Sequence, residues 1–160
     1  LTPHGTPADE AGTPPRPPLD GEQATRWQRQ LRNTCQHLGI EARDTDRVIE
    51  DQAVQVGGIG LALHLNPSAQ LGEFYADCGR PEPWQEAEIC QQLMQEALSC
   101  DMPGIILALH PQSHHLVAKG CLPLAAADDE GWLCTTLLLA TVARAREVRQ
   151  RFTLQPDGHS

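Results

Sequence analysis

Between Gly104 and Phe152 the apolar residues first recur at every second position and then at every third or fourth. That single change of period limits what the chain can fold into. Ile105, Leu107 and Leu109 alternate with Ile106, Ala108 and His110. A period of two with both faces largely apolar describes a strand in mid-sheet, or one with its own core on one face and a partner on the other. Pro111-Gln112-Ser113 supplies a turn. His115 to Leu122 runs back, with Leu116, Ala118 and Leu122 on one face and Val117, Lys119 and Cys121 on the other, and Pro123 ends it. Asp128, Asp129 and Glu130 then stand where a helix start favours negative charge, and Arg144, Arg146, Arg149 and Arg151 where its end favours positive. Leu133, Cys134, Leu137, Leu138, Thr141, Val142, Ala145, Val148 and Phe152 form the stripe of a helix lying on that sheet.

The preceding residues supply the rest of the sheet. A first helix is expected from about Glu22 to Leu38, closed by Gly39, with Trp27, Leu31, Thr34, Cys35 and Leu38 on one face and an Arg26, Arg29, Arg32 stripe on another. The Arg stripe reads as a solvated face. Residues 40–51 are polar, with only Val48 and Ile49 apolar, and read as a connection, followed by a short strand near 52–56. After Gly57-Gly58, Ile59, Leu61, Leu63 and Leu65 alternate with Gly60, Ala62 and His64, the pattern of a half-buried strand. Asn66-Pro67-Ser68 is a turn, and Leu71 to Cys78 is the next strand. A second helix from about Pro83 to Ser99 carries an apolar stripe of Ile89, Cys90, Leu93, Met94, Ala97 and Leu98.

The element order is α-β-β-β-α-β-β-α, an α+β architecture with a twisted antiparallel sheet and helices packed on it. At 160 residues this is one domain, spanning 21–152. Residues 1–20 hold six of the 13 prolines and almost nothing apolar, so a disordered tail is expected there, and a disordered end over 153–160. The first and third helices suffice to cover the core face. The second then needs another surface, and a copy of the same chain in a two-fold dimer provides one. Ile89, Leu93, Met94, Ile105 and Leu107 are the candidate dimer interface.

The chemistry of the sequence is sparse. The net charge is −9, which opposes binding to nucleic acid or to an anionic membrane. The acid excess is local: Pro81 to Ala127 holds five acids and one base. No apolar run approaches the roughly 18–20 residues of a membrane span. The chain opens on Leu1 and shows no signal-peptide pattern. Six scattered cysteines without a CxxC pair point to reduced thiols rather than to a disulfide framework. His110, His114 and His115 cluster where Pro111 and the strand pattern argue against the helical spacing of a metal face, so a His-rich hairpin tip is the better reading and a metal site the lesser alternative. There is no P-loop, no G-x-G-x-x-G and no G-x-S-x-G, and Gly57-Gly58-Ile59-Gly60 leads into a strand, not a helix. No catalytic residue, metal or cofactor is assigned.

Taken together, the Trp27/Leu31/Leu38 face, the strands LALHL at Leu61 to Leu65 and LGEFYADCG at Leu71 to Gly79, the LMQEAL end of the second helix at Leu93 to Leu98, and the last hairpin resemble the small acidic chaperones of type III secretion, the Tir-chaperone family. The likeness covers roughly Gln23 to Phe152. Where that family commonly has an Asn after the second helix, this chain has Ser99-Cys100-Asp101, and its Pro-rich start is unusual. Both features point to a divergent branch, and the Pro-tailed, Arg-rich style of the chain, in which eleven of the twelve basic residues are Arg, resembles the HpaB-like chaperones of broad specificity. The resemblance implies a non-enzymatic homodimer in the bacterial cytoplasm. Its partners would be secreted effector proteins, bound by their N-terminal regions and delivered to the type III secretion ATPase. Cargo binding is expected on the first helix and first sheet strands, at Trp27, Leu31, Leu38, Leu61, Leu63 and Phe74, with plain core the competing reading for the same six. The helix has a Trp near its start and a basic stripe beside its apolar one, and it follows a tail that cannot cover it, so partial exposure is expected. The alternative is a small ligand-binding or catalytic α+β domain with its pocket between the sheet and the last helix.

Overall fold

The computed structural model describes residues 20–99 and 104–156. The expectation of a disordered tail before residue 20 lies outside them, as do residues 157–160. The elements are α1 (Asp20–His37), α2 (Ala42–Asp51), β1 (Ala53–Val56), β2 (Ile59–Asn66), β3 (Leu71–Gly79), α3 (Glu86–Ala97), β4 (Ile105–Leu109), β5 (Leu116–Pro123), a 3-10 turn (Leu124–Ala126) and α4 (Trp132–Arg151). The fold is α+β, with a five-stranded sheet in the order β1-β2-β3-β5-β4, every neighbouring pair antiparallel.

α1 ends as its Gly39 requires. Gly39 adopts φ 76°, its N–H donates to Gln36 O at 3.1 Å, and the Ile40 N–H donates to Cys35 O at 2.9 Å. This paired closure satisfies two carbonyls of the last turn. The connection expected over 40–51 is instead a helix. α2 buries only Thr45 and Val48, one turn apart, with Ile49 half-buried, which is too narrow a stripe to read as amphipathic. It is tied to α1 by Arg32 Nη1 to Asp46 Oδ1 at 2.9 Å.

Gly57 and Gly58, at φ 58° and 81°, form the two-residue hairpin turn between β1 and β2, where left-handed backbone matches strand twist. Arg146 and Arg149 of α4 fasten this turn. Arg146 Nη2 donates to Gly57 O at 3.0 Å, and Arg149 donates to Gly58 O at 3.4 Å and to Asp77 O at 2.8 Å.

α1 and α4 lie on one face of the sheet. Phe74, Ala76, Leu116, Ala118 and Leu122 meet Cys134, Leu138, Val142, Ala145 and Val148 of α4 and Trp27, Leu31 and Cys35 of α1 in one core. Trp27 packs at Gly72, where any Cβ would strike its ring, and its ring centre stands 5.8 Å from that of Phe74. The folded unit does not stop at Phe152: Leu154 is buried and Gln155 pairs with Arg80 in a β-bridge.

Among the described residues, the opposite face carries no helix. Its centre is a polar cluster in which Tyr75 OH donates to Glu73 Oε1 at 3.0 Å and Lys119 Nζ pairs with Glu73 Oε2 at 3.0 Å. Burial pushes the Glu73 carboxyl up, but Lys119 and Tyr75 outweigh it and hold its pKa below the usual value.

Candidate binding surfaces

β4 is an edge strand, because β5 inserts between it and β3. Ile105, Leu107 and Leu109 turn half-buried toward the core, while Ile106 is 57% exposed. Of the two readings open to a strand apolar on both faces, the structure takes the one with an outward face left over. α3 runs beside this edge, entered through Pro81 and Pro83. It buries Ile89 and Leu93 and leaves Met94 73% and Leu98 93% exposed, with Trp84 also exposed just before its first turn. Polar contacts hold it at both ends: Glu86 Oε1 stands 3.3 Å from His114 Nδ1 of the β4–β5 turn, and Glu96 forms ion pairs with Arg144 at 3.5 Å and with Arg151. The Arg151 contact is the main reason the Glu96 carboxyl titrates below its usual range. A groove of about 490 Å³ separates α3 from β4, lined by Leu93, Met94, Ala97, Ile105 and Leu107 among others.

Four of the five expected interface residues (Leu93, Met94, Ile105 and Leu107) therefore line one groove, and Ile89, a turn earlier, is buried. The sequence reading missed Trp84 and Ile106. Trp84 lies ahead of the helical stripe, and Ile106 is out of phase with Ile105 and Leu107. Only edge placement makes either of them surface.

The six residues expected to bind cargo also come together, but as core. Trp27, Leu31, Leu61, Leu63 and Phe74 are each at most 4% exposed, and Leu38 is half-buried against them. The expectation of partial exposure considered only the tail as a cover for α1. The cover is the sheet itself together with α4, so these side chains offer no groove in this structure. What α1 presents outward is polar: Arg26, Gln28, Arg29 and Arg32.

No catalytic or metal-binding arrangement emerges among the described residues. His110 Nδ1 accepts from the N–H groups of Gln112 and Ser113, His114 faces Glu86, and His115 Nδ1 stands 3.0 Å from Asp77 Oδ1. No group of three or more metal-ligating side chains forms there. The five cysteines described are free, and burial pushes the Cys78 thiol up to about 12 and Cys134 to about 11, which keeps both protonated and poorly nucleophilic. No described helix is long and apolar enough to cross a membrane.

An antiparallel sheet with two long helices on one face and a shorter one beside its β4 edge is the fold of the type III secretion chaperones. The chain is similar to the Yersinia pestis type III secretion chaperone SycH, solved with a stable fragment of YscM2, at TM-score 0.53 and 14% identity, over 76% of this chain and 98% of that one. It is similar to a chain of the HopA1–SchA chaperone–effector complex at TM-score 0.54 and 14% identity, over 81% and 99%. It is also similar to a chain of the ExsC–ExsE complex at TM-score 0.59 and 8% identity, over 81% and 95%. No protein-family model and no curated protein sequence matches the chain.

Proposed function

We propose that this chain is a non-enzymatic type III secretion chaperone. It acts as a homodimer, binds the N-terminal regions of secreted effector proteins in extended form, and presents them to the export ATPase. The observation that carries this reading is the fold likeness, over most of the chain, to three chains taken from complexes, two of which involve secretion chaperones. The exposed apolar side of α3 and β4 supports the dimer, since a face of this kind on a small domain calls for a partner. The Pro-rich, Arg-rich style of the sequence favours the broad-specificity branch.

The test is co-expression with candidate effectors from a bacterium that has a type III system, followed by purification, light scattering and limited proteolysis. The expected result is a complex of two copies of this chain with one effector, in which the effector's N-terminal region is protected yet cleaved rapidly once freed. A chain that purifies as a monomer and leaves every effector N-terminus unprotected would overturn the reading.

A further inference from the structure

α1 and the connection from β5 to α4 enclose a polar cleft that neither the dimer surface nor the core explains. Gln30 of α1 is 3% exposed. Its Nε2 donates to Asp128 O at 2.7 Å, and its neighbour Asn33 donates to Asp129 O at 2.9 Å, so the two amides clamp the connection against the helix. The other end of the Gln30 amide, Oε1, is buried without a hydrogen-bond partner. Gln30 lines a cleft of about 420 Å³, together with Glu22, Arg26, Arg29, Ala127 and Asp129. Arg32 on the same helix is paired with Asp46, whereas Arg26 and Arg29 have no ion-pair partner among the described residues.

A buried carbonyl oxygen left without a donor is desolvated with nothing in return, so a small shift of the Gln30 side chain toward the cleft that lets it accept an N–H or O–H group is favoured. Arg26 and Arg29 are three residues apart and therefore adjacent on the helix surface. Two neighbouring guanidinium forks match a carboxylate better than any other side chain. A peptide satisfies both demands at once, with a main-chain N–H on Gln30 Oε1 and a carboxylate between the arginines. Glu22 and Asp129 on the rim repel a second negative charge, which selects one acidic residue in an otherwise uncharged or basic stretch rather than an acidic run.

We propose that this cleft binds an extended peptide segment through its main chain and a single carboxylate. The proposal rests on the reading that the chain receives unfolded segments of other proteins, and it moves their contact with α1 from its buried apolar face to its polar one.

The probe is a fluorescein-labelled, end-capped dodecapeptide of Ser, Gly and Leu with one central Glu, compared with its Gln and Lys versions by anisotropy on the full chain. The Glu peptide binds about tenfold tighter than the Gln peptide, the equivalent of one charge-assisted hydrogen bond, and the Lys peptide binds worst. Arg26→Ala with Arg29→Ala erases the Glu preference while the circular dichroism spectrum and melting temperature stay unchanged. Glu22→Gln raises affinity for the Glu peptide. The Gln30 side-chain carbonyl resonance shifts on titration. Equal binding of the three peptides, or a preference that survives the double Arg substitution, overturns the inference. If effector capture by the double variant also matches wild type, the chaperone reading stands and only the cleft is lost. Failure of that reading would show differently, as absent effector capture by the unsubstituted chain.

Discussion

The two sides of the molecule solve the problem of apolar surface in opposite ways. Where α1 and α4 cover β2, β3 and β5, the side chains interlock: Trp27 on Gly72, Thr141 against Gly120, Phe74 under both helices. Where α3 lies beside β4, only Ile89 and Leu93 of the helix are buried, and Met94, Leu98 and Ile106 face outward. Besides its buried Ile89 and Leu93, α3 is tied by the Glu86–His114 contact at one end and by the ion pairs of Glu96 at the other. Among the described residues one side is closed over and the other is left open. The comparison separates residues that make the fold from residues available to a partner.

That contrast breaks most visibly in the closed side. Phe74→Ala removes the ring at its centre and is expected to cost about 3–5 kcal/mol, as for large-to-small substitutions in well-packed cores. The urea midpoint, measured at fixed protein concentration, reports it. A loss under 1 kcal/mol would mean that Phe74 does not sit in a close-packed core. Next in size is Lys119→Met. It leaves the Glu73 carboxylate, 3% exposed, with Tyr75 as its remaining partner, at an expected cost of about 2 kcal/mol. The companion Glu73→Gln, Lys119→Met protein should recover part of that loss, because no buried charge is left unpaired.

How much of this the sequence disclosed follows the same division. Strict alternation in β2 and β5, and the α4 stripe, report burial against the chain's own helices, so those elements and the α+β class were legible. α2 was not, because two buried residues one turn apart make too faint a signal in ten polar positions. The five core residues assigned to cargo show a deeper limit: Trp27 reads the same whether it fills the space over Gly72 or waits for a ligand. Neither strand order nor which apolar stripe finds cover is written in the period of one element. The α3–β4 groove could be anticipated because a third helix was one more than a sheet with one covered face needs. The cleft at Gln30 could not, since the spare carbonyl oxygen appears only once Asp128 has taken the amide nitrogen.

Acid separates the two sides less strongly. Lys119 and Tyr75 hold the Glu73 carboxyl below its ordinary pKa despite burial, and the Arg151 hydrogen bond does so for Glu96. A carboxyl depressed in the folded state adds stability above its unfolded pKa of about 4.3, and that stability is lost as pH falls through the folded value. Stability should therefore be level from neutral pH to about 5 and decline below it. Glu96→Gln should lower stability at pH 7 by no more than about 1 kcal/mol, since the pair is partly solvated, and should change nothing at pH 2. Chemical denaturation at the two pH values checks this. An equal loss at both would mean that Glu96 acts through packing rather than charge.

The smallest effect on the fold belongs to the open side, and it is the most informative. Met94→Glu and Leu98→Glu change side chains that are 73% and 93% exposed, so within one chain neither buries a charge. Surface substitutions of this kind stay within about 0.5 kcal/mol. Leu93→Glu is a poorer probe, because Leu93 is 8% exposed and its loss would disturb the core as well. Against a second copy the outcome reverses: a carboxylate at the centre of a two-fold contact appears twice and is desolvated both times. Light scattering at micromolar concentration should give twice the 17.5 kDa of one chain for the unsubstituted protein and the single mass for either variant. Circular dichroism should remain unchanged. A variant that stays dimeric places the contact elsewhere, and the exposed side of α3 would then be free for a different partner. A variant that unfolds would show that α3 depends on its outer face within one chain, which would erase the distinction between the two sides.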